Sequence, residues 1–327
     1  GLHAFTYDRL SRLTSADHPL ASGLVDEAFT YDPVGNRTSS HLSALHRHDA
    51  TNRLLEDDTF TYTYDANGNL TSKTTKSLPA QTTTYTYDGE HQLLGVTAPG
   101  LSATYRYDGL GRRSEKAVNG VVTRYVYDQE DLLLEFDGTN TLQARWTHGP
   151  GIDEPWLLDR DRNQDRTFEA TERFFVLADG LGSTVALTDA TGQVVERYRY
   201  TAFGHPTILG PGPDGLLDTA DDVPLACSAY GNPYLFTGRE YDCETGLYFY
   251  RSRYYDPRTG RFLQEDSKAG IRLRPQTLNK YPYVINNPIN LTDPFGELTL
   301  SQVALLVATI SALLTLSSIA RIGCDVR

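Results

Sequence analysis

The chain has 327 residues with a formal net charge of −12, and it contains 21 Tyr, 27 Gly and 16 Pro. That length can bury a large core as one large domain or two ordinary ones. The acidic balance argues against nucleic acid as a partner, because phosphate contacts need a basic surface.

The first 130 residues repeat an aromatic-x-Tyr-Asp signature: Phe5-Thr6-Tyr7-Asp8, Phe29-Thr30-Tyr31-Asp32, Tyr62-Thr63-Tyr64-Asp65, Tyr85-Thr86-Tyr87-Asp88, Tyr105-Arg106-Tyr107-Asp108 and Tyr125-Val126-Tyr127-Asp128. A weaker copy, Arg47-His48-Asp49, fills the gap after the second, giving steps of 24, 17, 16, 23, 20 and 20 residues between aspartates. The two aromatic positions share one face of a strand and the residue between them takes the other. Runs such as Asp65-Ala66-Asn67-Gly68-Asn69 then supply turn chemistry: Asp accepts backbone hydrogen bonds and Gly or Asn takes positive φ. The unit is a strand–turn–strand hairpin that its neighbours must complete. This predicts an all-β fold, with Tyr-Asp in a structural role and a tyrosine ladder on one sheet face. Glycan stacking on exposed tyrosines is the functional rival.

After residue 150 the texture changes. Asp159-Arg160-Asp161-Arg162-Asn163-Gln164-Asp165 alternates oxygen ligands as a calcium loop does, though Gln164 stands where such a loop needs glycine. Asp159, Asp161, Asn163 and Asp165 are therefore candidate calcium ligands, with a solvated charged turn as the other reading. A second acidic loop runs from Asp214 to Asp222. Cys227, Cys243 and Cys324 have no metal-ligand spacing; a Cys227–Cys243 bridge and free buried thiols both remain open. Leu298 to Ala320 carries no charged residue. That length fits a helix that enters a membrane, one buried inside a shell, or a hydrophobic linker. Without an initiating Met or a signal peptide, the chain reads as a fragment of a longer polypeptide.

Ala178-Asp179-Gly180-Leu181-Gly182-Ser183-Thr184, Phe236-Thr237-Gly238-Arg239-Glu240-Tyr241-Asp242, the run Thr245 to Pro257, Gly260-Arg261-Phe262 and Asn286 to Gly296 together resemble the Rhs/YD-repeat family. Residues from about Ala178 are similar to its Rhs repeat-associated core. The resemblance implies YD repeats over 1–150, an acidic insertion over 151–177, a core plug over 178–297 and the start of a variable cargo, with a hydrophobic helix, over 298–327. It further implies a β-strip curled into a shell around a C-terminal toxin, in a secreted or cell-surface parent that works with secretion machinery. The expected partner is the chain's own cargo, with membrane contact through 298–320; the rival is a cell-surface or secreted YD-repeat adhesin that binds glycans.

The family's core resembles an aspartyl autoprotease acting once on its own chain, with no cofactor required. Its motif positions fall here on Arg253, Asp266 and Asp293, with cleavage near Leu298. Two carboxylates sharing one proton can serve as base and acid, and a guanidinium can hold one of them ionised. The first Asp-Pro-x-Gly of the pattern is broken here to Asp266-Ser267-Lys268-Ala269-Gly270, and the segment between the aspartates is long. Two turn aspartates and a strand arginine are the alternative.

Overall fold

The computed structural model describes residues 2–268, 270 and 275–297. Among them the regular structure is strand, broken only by short 3-10 turns. The hydrophobic stretch 298–320 and its expected helix lie outside the described residues, as does Leu298.

The strands Ala4–Tyr7, Leu13–Asp17, Glu27–Tyr31 and Arg37–Ser40 form a 4-stranded sheet. From His46–His48 to Val223–Leu225 the strands pair antiparallel in chain order, and this sheet closes on itself as a barrel. A second 4-stranded sheet, Glu240–Asp242, Leu247–Tyr250, Arg253–Asp256 and Arg261–Phe262, lies within it.

Each repeat closes on its aspartate. In Asp8, Asp32, Asp65 and Asp108, Oδ1 accepts the backbone N–H groups two and four residues on. Oδ2 accepts from the side chain four residues on: Arg12, Asn36, Asn69 and Arg112. The weak copy at Asp49 makes the same turn with Thr51 and Arg53. The third position after the aspartate takes positive φ, which is why Gly35, Gly68 and Gly111 stand there. Asp137, Asp179 and Asp189 repeat the geometry where no Tyr-Asp marks it. Tyr127-Asp128 departs from the pattern: Asp128 pairs with Asp131 across a two-residue turn.

In four of the motifs the second tyrosine locks one repeat to the turn before it, and Tyr200 does the same outside a Tyr-Asp pair. Tyr31, Tyr87, Tyr107, Tyr127 and Tyr200 donate their hydroxyls to the carbonyls of Leu13, Leu70, Leu93, Arg113 and Thr184. Each acceptor is the fifth residue after the preceding turn aspartate. The first tyrosines Tyr62, Tyr85 and Tyr105 are buried in the core. The ladder therefore faces inward.

The inner sheet is buried on both faces. Along Leu247–Tyr250, Leu247 and Phe249 pack with Leu54, Tyr62, Leu70, Tyr85 and Leu93 of one wall. Tyr248 and Tyr250 pack with Leu187, Tyr198 and Ile208 of the other. Tyr254 and Tyr255 divide the same way. Burying each such ring contributes roughly 2 kcal/mol. Buried phenols need acceptors, and Tyr248, Tyr255 and Tyr281 find them on the wall at the carbonyls of Gly204, Phe203 and Gly68.

Wall and plug divide differently from the boundaries read in the sequence. Pro155–Arg160 and Arg173–Ala178 are barrel strands, so the insertion shrinks to the loop between them. The barrel also continues through Val223–Leu225, and the interior layer begins beyond it. Cys227 and Cys243 form a disulfide that ties the segment after the last barrel strand to a turn of the inner sheet.

Candidate functional site

The inner sheet and the segment after it bring Arg253, Asp266 and Asp293 together. Arg253 opens the strand Arg253–Asp256, where its guanidinium lies buried over the Phe262 ring at 3.7 Å. One nitrogen, Nη2, serves both carboxylates: it donates to Asp266 Oδ2 at 2.9 Å and stands 3.5 Å from Asp293 Oδ2. The remaining donors are fixed, Nη1 on the carbonyl of Lys280 at 2.9 Å and Nε on the carbonyl of Gly296. Ser252 Oγ donates to the same Gly296 carbonyl at 2.9 Å.

Asp293 sits in a copy of the shell turn. Gly296 N–H donates to its carbonyl at 3.3 Å, and Glu297 N–H donates to its Oδ1 at 2.9 Å. Gly296 takes positive φ, as Gly68 does. In the turns of Asp8, Asp32, Asp49, Asp65 and Asp108 the side chain four residues on donates to Oδ2; here that side chain is Glu297, which meets Ser267 and Lys268 instead. Asp293 Oδ2 is left buried without a hydrogen bond. Burial pushes this carboxyl up to about 6 against the pull of Arg253, and the charges of Asp266 and Glu297 add to the rise. Burial also lowers Arg253, against the opposing pull of the two aspartates. A carboxyl that holds a proton near neutrality beside a second carboxylate is the arrangement that acid–base chemistry needs.

The site opens on a cavity of about 590 Å³ between the plug and the tips of the shell turns. Arg253, Asp266, Ser267 and Glu297 line it from the plug, and Asn69, His91 and Arg112 from the wall.

The proposed calcium ligands are not brought together in this way. Asp159 faces Arg145 and Arg173 across the sheet at 2.8 Å each. Asp161 accepts the backbone N–H groups of Asp165 and Arg166, and Asn163 donates to Asp165. Among the described residues no group of three or more His, Cys, Asp or Glu side chains forms a cation site. Asp159 lies on a strand with cationic neighbours, whereas Asp161, Asn163 and Asp165 lie on the loop after it.

Sequence reading missed the ion pairs that seat the plug. Arg113 of the wall reaches Glu240 at 2.7 Å and Asp242 at 2.5 Å, both on the inner sheet. Lys116 joins Asp242 at 3.0 Å, Lys73 joins Asp256 at 3.3 Å, and Arg239 of the plug reaches Asp153 at 2.6 Å. Arg113 lies between the rings of Tyr125 and Phe249, at 5.4 and 4.9 Å. The partners of Arg113 are more than a hundred residues away, and no local pattern could name them.

A strip of Asp-turn hairpins closed around a two-faced plug defines a YD-repeat shell protein. Residues 3–289 match the family described as Teneurin YD-shell, and the chain belongs to it. It is 34% identical over 274 residues to the tRNA nuclease WapA of Bacillus subtilis (strain 168), covering 83% of this chain and 9% of that protein. It is 26% identical over 319 residues to the double-stranded DNA deaminase toxin A of Burkholderia cenocepacia (strain H111), covering 90% of this chain and 21% of that one. The crystal structure of TcdB2-TccC3-Cdc42 aligns over 90% of this chain and 18% of its own, with a TM-score of 0.48 and 20% identity. The chain thus spans a small part of the relatives it matches. Among the described residues no helix is long and apolar enough to cross a membrane.

Proposed function

We propose that the chain is the closing section of a toxin-carrying shell: wall, plug, and a point of self-cleavage that frees a C-terminal effector. The observation that carries this reading is the convergence of Asp266 and Asp293 on one buried guanidinium, where the described chain leaves the plug. The relatives support the container. A tRNA nuclease and a DNA deaminase toxin both match this segment over small parts of their lengths, which supports reading the segment as a carrier common to different activities. By the same likeness the parent is secreted or displayed at the cell surface, with its own cargo as the first partner and a secretion apparatus as the second. Against the glycan-binding rival, Tyr62, Tyr85 and Tyr105 are buried in the core, and Tyr31, Tyr87, Tyr107 and Tyr127 donate their hydroxyls to backbone carbonyls.

The residues divide the chemistry as follows. Asp266, hydrogen-bonded to Arg253, takes a proton from water as the water oxygen bonds to the carbonyl carbon of Glu297. Arg253 and Ser252 hold the Gly296 carbonyl, and Asp293 Oδ1 holds the Glu297 N–H, which fixes the backbone up to Glu297. Asp293 gives its proton through Oδ2 to the leaving nitrogen of Leu298 as the C–N bond breaks. The products are a Glu297 carboxyl and a free Leu298 amine, and Asp266 retains the proton taken from water.

Intact-mass analysis of the parent protein and of its Asp266→Asn and Asp293→Asn variants tests this. The wild type should yield a fragment beginning at Leu298, and both variants should stay whole while the shell folds. An uncut wild type, or a cut that persists in both variants, rejects the self-cleavage reading.

A further inference from the structure

Ser267, which stands where the first Asp-Pro-x-Gly has its Pro, and Lys268, at the open position of that motif, touch the other aspartate's turn. Ser267 Oγ donates to Glu297 Oε1 at 2.7 Å, and Lys268 Nζ stands 3.0 Å from Glu297 Oε2. Lys268 belongs to the Asp266 turn, because its backbone N–H donates to Asp266 Oδ1 at 2.8 Å. Glu297 belongs to the Asp293 turn through its own backbone N–H. Each aspartate's turn thus contributes to a bridge that spans the pair.

Comparison with the shell turns shows what the bridge does. There the side chain at the position of Glu297 is Arg12, Asn36, Asn69 or Arg112, and it caps its own aspartate's Oδ2. Glu297 turns away to Ser267 and Lys268, and Asp293 Oδ2 remains buried and without a hydrogen bond. We propose that Ser267, Lys268 and Glu297 form a clamp that fixes the two aspartate turns against each other and holds the Glu297 side chain away from Asp293 Oδ2. All three are positioning residues, and the inference rests on the self-cleavage reading. The break in the motif is then a replacement of one turn design by a side-chain clamp.

The strength of the clamp is bounded by its exposure. The Lys268 side chain is 54% and that of Glu297 25% accessible, so the ion pair is salt-sensitive and the Ser267 hydrogen bond carries much of the hold. Opening it should slow cleavage by roughly threefold to tenfold. The proton-holding group, Asp293, is faced by Arg253, Asp266, Glu297 and the phenol of Tyr283. An amide at position 297 would cap Oδ2 as Asn69 caps Asp65, favour the ionised carboxylate and move the upper limit of the pH–rate profile downward.

Pulse–chase synthesis of the full parent chain gives the cleavage rate directly. The Ser267→Ala/Lys268→Ala variant should cut roughly threefold to tenfold more slowly, with a melting temperature close to that of the wild type. The wild-type rate should fall between low and molar salt, and that dependence should flatten in the variant. Glu297→Asn should both slow cleavage and shift the pH–rate profile to lower pH. Wild-type rates and an unchanged profile in both variants overturn the clamp and leave the aspartate pair standing. A wild-type parent that never cuts overturns both.

Discussion

Replacing Arg113 with Met tests how the plug is held in the wall. The guanidinium is fully buried and bonds Glu240 and Asp242 of the inner sheet at 2.7 and 2.5 Å. Arg113→Met keeps much of the apolar stem but leaves two buried carboxylates without their direct partner, Asp242 keeping Lys116 and Glu240 only the field of Arg239. Removing one side of such a buried pair costs about 3–5 kcal/mol, because the opposing charge is stranded. For a protein of this size that is a fall in melting temperature of roughly 4–7 °C. Burial disfavours ionised Asp242, but Arg113 and Lys116 overcome it and hold this carboxyl below the usual carboxylate range. Its contribution to stability is therefore complete above the unfolded value of 3.8 and is lost as pH falls through the depressed folded value. In Arg113→Met the carboxylates take up protons more readily, so the variant gains stability relative to the wild type as pH drops from 7.5 to 5. Thermal unfolding followed by near-ultraviolet circular dichroism at the two pH values measures both effects. A loss below about 1 kcal/mol, smaller than any buried-pair truncation, would refute the reasoning. So would a gap between the two proteins that widens toward pH 5.

Two further outcomes follow from the same geometry. With Asp293 raised to about 6 and acting as the acid, the cleavage rate should decline above about pH 6, approaching tenfold per pH unit; a rate that rises from pH 6 to 8 would reject that role. The Cys227–Cys243 bridge closes a loop of 16 residues, worth about 3 kcal/mol in chain entropy. Reductant should lower the melting temperature of the wild type and leave that of Cys227→Ser unchanged; an equal response in both would discount the bridge.

Much of the wall was legible because its information is local. An Asp followed by Gly or Asn three residues on states its own hydrogen bonds, and the alternating tyrosines state their face. Asp137, Asp179 and Asp189 escaped because the reading leaned on Tyr-Asp, whereas the turn needs only the aspartate and a residue that accepts positive φ. The plug's depth was harder to see: Leu-Tyr-Phe-Tyr at 247–250 has no polar alternation, because each face meets a different wall. The family resemblance named Arg253, Asp266 and Asp293, and the structure brings them to one nitrogen. It could not supply the reason Asp293 differs from Asp65 or Asp32. That reason was nevertheless in the sequence, as a Glu where the side-chain-capped turns of Asp8, Asp32, Asp49, Asp65 and Asp108 carry Asn or Arg.

The central claim, a shell that retains an effector cut from its own plug, is tested most directly by protease protection of the parent protein. The cleaved C-terminal fragment should co-elute with the shell on size exclusion and resist added protease until the shell is unfolded. A fragment that elutes separately, or is digested as fast as the same fragment expressed alone, would contradict the container.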